Sequence, residues 1–347
     1  MASDFWIVLQ WWGALFLVGA AAWPLTKWLF GGIGPVSSRL GEVKEIGENT
    51  EDGLVGRSYY QGWWDEGYFF SKAVGMAVVT WVVYVLGMVR FVPFSTISIS
   101  VSLVFLFIVG IIFNFKFSIF NENFKFQIKN SRKNSISKTS VLILEEVCFF
   151  TALLFWSWVK AHEPSIRALE KFMDYGFMQS ILNSQLFPPQ DMWYAGSPIN
   201  YYYFGHLVTA VLTRLSGLDL GYTFNLMLAT LFALTITMSF SIGVQVFRVS
   251  TRSRMENHES GIRNYGQRKR ITIIYDSVCM ILAGLVTAFL VTFAGNMQTI
   301  YAFTSGYTGD PPEGGVRPFW ELLWGIGEIG GIGGLWDKIG EIGRAHV

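Results

Sequence analysis

Apolar residues in this chain come in long, nearly uncharged runs separated by short polar or basic stretches. A run of roughly 20 apolar residues is long enough to cross a bilayer as a helix. The pattern predicts a first span over 1–30, with Trp6, Trp11, Trp12, Trp23 and Trp28 near its ends as interfacial anchors and Pro24 as a kink or end point. A Gly- and Glu-containing loop follows over 31–67. Two spans then fill 68–115, joined by the tight Val89–Pro93 connection. A basic stretch over 116–140 precedes a fourth span over 141–160, which opens with Glu145 and Glu146. After a polar region over 161–221 come a fifth span over 222–247, a second basic stretch over 248–270, a sixth span over 271–303 and a Gly-rich tail over 304–347.

Charge orients this pattern. Loops rich in Lys and Arg stay cytoplasmic, and both 116–140 and 248–270 are rich in them. If Tyr201–Leu215 crossed the membrane, the two basic loops would fall on opposite sides. That segment offers only a short apolar run after His206, interrupted by Arg214. The consistent solution places Phe204–Leu215 along the interface as an amphipathic helix. The expected architecture is all-α and polytopic, with about six transmembrane helices. The N-terminus is outside, and one large extracytoplasmic loop over 161–221 carries interfacial helices.

Composition agrees with a membrane protein. Of the 347 residues, 52% are hydrophobic and only 15% charged, and the mean hydropathy is +0.39, whereas about 25% of the residues of a soluble domain are charged. A formal net charge of +1 gives no bulk attraction for nucleic acid. Cys148 and Cys279 lie in apolar runs and read as buried thiols. The N-terminal run lacks a basic n-region and a small-residue cleavage site, so it reads as a retained span. The final EIGRAHV matches the translation of a common short-read sequencing adapter, so the natural chain is expected to continue beyond it.

The candidate chemistry is concentrated in 161–221. Glu170 and Asp174 share a helix face at their spacing. Two carboxylates there suit a general base or a divalent cation, and equally a solvated helix face. Pro188 and Pro189 force an extended turn that positions Asp191, as a placed carboxylate or as a turn cap. Tyr201, Tyr202 and Tyr203 suit a membrane interface, or stacking on a sugar or lipid headgroup. His206 suits phosphate binding, proton relay or a structural role. Lys160, His162, Arg167, Lys171 and Arg214 supply cations for an anionic phosphate. No Walker, GxGxxG, GxSxG or HExxH motif is present.

The runs EKFMDYGF, FPPQDMWYAG and INYYYFGH, with the earlier DEGYFFSKAVG, resemble the YYY-type membrane proteins of archaea, Chloroflexi and some other bacteria. The similarity extends from the first span to about Asn296. That family is itself distantly similar to GT-C glycosyltransferases, which use polyprenyl-phosphate-linked sugars and carry an acidic residue in their first large outer loop. The resemblance implies Asp174 as catalytic carboxylate with Glu170 beside it. It implies that Asp191 and His206 face a lipid-phosphate sugar donor, and that the sugar goes to an extracytoplasmic acceptor. Members of the family are usually longer, and a later Gly-Asp-Leu-His-type motif is missing here, as expected of a fragment. A transporter or flippase of lipid-linked intermediates is the alternative, and it predicts ionisable residues inside the spans. The span interiors read as nearly charge-free, with Glu145 and Glu146 close to the cytoplasmic edge, which counts against transport. A non-catalytic membrane scaffold is the third reading.

Overall fold

A computed structural model describes residues 2–31, 62–120, 138–162, 164–166, 170–256 and 268–294. The Gly-rich tail with its terminal EIGRAHV, most of the 31–67 loop, the centres of both basic stretches and Arg167 lie outside the described residues. Among the described residues there are eight α-helices: α1 Ala2–Phe30, α2 Tyr68–Met88, α3 Thr96–Phe120, α4 Lys138–Ala161, α5 Lys171–Asn183, α6 Phe204–Ser216, α7 Leu220–Glu256 and α8 Arg268–Thr292. No strand occurs among the described residues beyond an isolated antiparallel bridge between Gln190 and Pro198. The expected all-α, polytopic architecture is what the chain adopts.

Five described helices are long and apolar enough to cross a membrane: Asp4–Phe30, Tyr68–Met88, Thr96–Phe115, Leu142–Ala161 and Leu220–Thr251. In α8 the apolar segment is the shorter Val278–Thr292. Where a soluble helix would turn charge outward, these turn hydrocarbon. On α3, Val101, Val104, Phe105 and Ile108 are all exposed, and on α4 so are Ile143, Leu144 and Val147. Backbone groups satisfied within each helix allow such faces to meet lipid. Cys148 also lies on an exposed position of α4, so the expectation that it is buried is corrected; like Cys279 it is a free thiol.

Helix α1 is the partition of the bundle. One of its sides packs with α2 and α3 through Ala22, Val79, Val83, Ile99 and Leu106. The other packs with α4 and α7 through Val8, Trp11, Leu15, Phe149, Leu153 and Ala233. The Trp11 indole donates to Thr230 Oγ1 at 2.8 Å across this second seam. Helix α8 lies along α7.

The region between α4 and α7 is built into one end of the bundle. Phe177 and Ile181 of α5, Phe187 and Ile199 of the connecting loop, and Leu207, Ala210 and Val211 of α6 belong to the same core as α2 and α3. Backbone bonds from Phe94 to Gln185 (2.6 Å) and from Phe187 to Gly87 (3.4 Å) seal the junction. Gly87 is required there: a Cβ on it would lie 2.3 Å from the Phe187 ring. Helix α6 touches α1, α2, α3, α5 and α7, so the bundle covers it more completely than one apolar face requires. At the opposite end, the Trp63 amide bonds to the Phe30 carbonyl at 2.8 Å, and the turn carrying Asp65 leads into α2.

Candidate functional site

The site grows from two short helices whose first turns face each other. Helix α5 begins with Glu170 at its N-cap position, and the Asp174 amide closes its first turn onto the Glu170 carbonyl at 3.0 Å. Carboxylates in a first helical turn are favoured by the N-terminal dipole. The Glu170 side chain makes no cap bond. Phe177, Met178 and Ile181 anchor the helix on its buried face. Helix α6 starts at Phe204, directly after the three tyrosines, which puts His206 in its first turn.

His206 Nε2 lies 3.0 Å from Asp174 Oδ1. The histidine side chain is 11% exposed and that of Asp174 35%, so the carboxylate forms the open edge of the pair. Phe177 meets the imidazole edge-on at 5.6 Å between ring centroids and holds its plane. The other ring nitrogen, Nδ1, is buried and has no hydrogen-bond partner. The pair thus joins a largely buried histidine to a carboxylate that is partly open to the outside.

The tyrosines divide. Tyr201 and Tyr202 are exposed and overlap at 4.0 Å between centroids. The Tyr201 hydroxyl is hydrogen-bonded with that of Tyr202, and Glu170 and Asp174 add negative potential; together these push its pKa up to about 12. Phe177 lies 5.9 Å from Tyr201 and 6.4 Å from Trp193, so an aromatic rim surrounds the pair. Tyr203 turns inward instead. It is buried beside Tyr84, and burial raises its phenol pKa.

Asp191 has the role of a turn cap. Its Oδ1 accepts the amides of Trp193 at 2.8 Å and Tyr194 at 3.0 Å, and its own amide bonds to the Ser197 carbonyl at 2.8 Å. The turn presents Met192 to Gly176 of α5, where an added Cβ would come within 1.8 Å of the Met192 sulfur. Asp191 therefore positions Trp193 and Met192 over α5. Arg214 is likewise used internally: its guanidinium donates to the Leu182 carbonyl and stacks 4.3 Å from the Phe94 ring centroid. Burial lowers its pKa. His162 Nδ1 bonds to the Trp158 carbonyl at 2.8 Å.

At the same end, a cavity of about 540 Å³ opens between the start of α1, the end of α4 and the start of α7. Phe5, Val8, Leu154, Trp158, Tyr222 and Leu226 give it apolar walls. The Ser157 hydroxyl and the Asn225 side-chain oxygen are buried there without hydrogen-bond partners. Among the described residues, no group of three or more His, Cys, Asp and Glu side chains is placed to hold a metal ion.

A second polar cluster lies toward the other end of the bundle, near the starts of α2 and α4, where Lys72 joins the Glu145 and Glu146 that the sequence placed at the edge of the fourth span. Lys72 of α2 is 3% exposed and pairs with Glu146 of α4 at 2.6 Å. Tyr68 and Trp12 also donate to Glu146, each at 2.7 Å. Glu145 is 2% exposed. In the sequence, the signal was a single Lys within FFSKAVGM and an adjacent acid pair in a distant run.

No curated protein and no solved structure matches the chain. A family model does match over residues 78–321, from within α2 through the Asp174–His206 pair and beyond α8. Since that match takes in more than half of the sequence, the chain belongs to the family described as "Uncharacterized membrane protein (DUF2298)".

Proposed function

We propose that the protein is a membrane glycosyltransferase that moves a sugar from a polyprenyl-phosphate donor to an acceptor hydroxyl on the extracytoplasmic face. The observation that carries this reading is the Asp174–His206 pair, set one helical turn from Glu170 and rimmed by exposed Tyr201, Tyr202 and Trp193. Aromatic faces suit sugar rings, and a half-exposed carboxylate held by a histidine suits a general base. In this mechanism Asp174 accepts the proton of the acceptor hydroxyl as its oxygen bonds to the sugar C1. The bond from C1 to the phosphate oxygen breaks, and polyprenyl phosphate leaves with the electron pair. His206 positions Asp174 and Glu170 adds negative potential beside it. The apolar cavity between α1, α4 and α7 matches the chemistry of an isoprenoid chain.

The test is transfer of label in membranes containing the protein or its Asp174→Asn variant at equal expression, supplied with radiolabelled polyprenyl-phosphate sugars. Wild-type transfer that falls by about 10²–10⁴-fold in the variant supports Asp174 as the base. Equal transfer by both removes Asp174 from the reaction, and no transfer from any donor removes the glycosyltransferase reading.

One observation favours a second reading, transport of a lipid-linked intermediate. Lys72, Glu145 and Glu146 are buried inside spans, where ionisable residues mark pathways through hydrocarbon. Flipping of a fluorescent lipid-linked sugar in proteoliposomes, in the absence of any transfer, would select it.

A further inference from the structure

The buried cluster contains more acid than base. Asp65 comes from the turn before α2, Lys72 and Tyr68 from α2, and Glu145 and Glu146 from α4, with the exposed Cys148 thiol beside Glu145. To this cluster α1 and α7 present the neutral indole of Trp12 and the hydroxyl of Ser241. Asp65 is 5% exposed, Glu145 2% and Glu146 9%, and the buried cation among them is Lys72. Full ionisation would leave excess negative charge in a low-dielectric interior, where an uncompensated ion costs several kcal/mol.

The hydrogen bonds rank the three acids. Glu146 accepts from Lys72 Nζ, the Tyr68 hydroxyl and the Trp12 indole. The Lys72 ammonium also lies 4.5 Å from the Phe149 ring centroid, which fixes it on the Glu146 side. Asp65 accepts from the Gly67 amide at 2.8 Å, the Phe69 amide at 3.4 Å and the Ser241 hydroxyl at 3.0 Å. Burial pushes the Asp65 carboxyl up, and these donors act against it. Both oxygens of Glu145 are buried with no hydrogen-bond partner. A cation large enough to need several oxygen ligands finds no such set here. A proton needs one oxygen.

We propose that Glu145 is a proton-binding site within the membrane bundle, filled by one proton while Glu146 remains the anionic partner of Lys72. The Glu145 carboxylate takes up a proton to form the neutral acid and returns it when water or a donor reaches it. This site is separate from Asp174 and stands whether or not the protein transfers sugar.

Infrared spectroscopy of the protein in lipid nanodiscs tests it, because a carboxylic acid carbonyl absorbs apart from ionised carboxylates and shifts in D2O. The wild type should show such a band at neutral pH, lose it on alkaline titration, and lack it in Glu145→Gln. Glu146→Gln and Asp65→Asn should retain it. Should Glu145→Gln fail to fold, wild-type protein carrying 13C-carboxyl glutamate supplies the second measurement. There the band should move, as it would not if the acid were Asp65. Absence of the band in the wild type, its persistence in Glu145→Gln, or an unmoved band in labelled protein would overturn the proposal.

Discussion

Two pairs, each of a carboxylate with a nitrogen base, sit in contrasting surroundings. At one end, Asp174 and His206 meet at 3.0 Å with the acid 35% exposed. Toward the other, Glu146 and Lys72 meet at 2.6 Å with side chains 11% and 4% exposed. Water reaches the first pair from its Asp174 side, so the carboxylate holds little folding energy and is free for chemistry. The second is desolvated, and its three donors are needed to make a charge tolerable there. Exposure, more than chemical identity, separates a candidate base from an internal tie.

The sharpest way to break this comparison is to remove the cation of the buried pair. Lys72→Met should destabilise the protein by about 3–5 kcal/mol, because Glu146 is left charged and unpaired. Thermal unfolding in nanodiscs measures it. The double variant Lys72→Met/Glu146→Leu should recover much of the loss, though not all, since the Tyr68 hydroxyl and the Trp12 indole would then lack their acceptor. Asp174→Asn at the exposed pair should shift stability by less than about 1 kcal/mol. Equal losses for Lys72→Met and Asp174→Asn would erase the distinction.

How much of each region was legible follows the same division. Spans show in a sequence because hydrocarbon thickness imposes a run length, and α2 occupies the Tyr68–Met88 stretch that its apolar run delimits. Asp174 and His206 were visible singly as polar residues in an interfacial context. Their contact was not, since it depends on how α5 and α6 pack against the bundle end. Asp191 shows the limit of local reading: after Pro188 and Pro189 it suited both a turn cap and a site carboxylate, and only the folded loop shows the Trp193 and Tyr194 amides on its Oδ1. Lys72 and Glu146 are further still from legibility, 74 positions apart on helices that sequence alone does not pair.

The junction between the two ends gives an intermediate effect. Gly87→Ala would place a methyl group 2.3 Å from the Phe187 ring, which the core on both sides prevents from retreating. Overpacking of this kind costs about 1–3 kcal/mol. Gly176→Ala meets the far end of the flexible Met192 side chain, so unfolding should register a smaller loss. If the cost at Gly176 exceeded that at Gly87, the loop over α5 would be more rigid than the bundle seam.

The smallest expected effect concerns the aromatic rim and needs no loss of fold. Tyr201 has its pKa pushed up to about 12 first by its hydrogen bond with Tyr202 and then by the surrounding negative potential. A raised phenol pKa means that its contribution to stability is complete below the ordinary value near 10, and is lost as pH rises through about 12. Tyr202→Phe keeps the stacked ring and removes the hydroxyl, so the ultraviolet titration of Tyr201 should move back toward its ordinary value while sugar stacking persists. Asp174→Asn should move it in the same direction by less, because its charge is a lesser cause. A Tyr201 titration unchanged in Tyr202→Phe would show that the two rings stack without sharing a proton, and that the rim is assembled by packing alone.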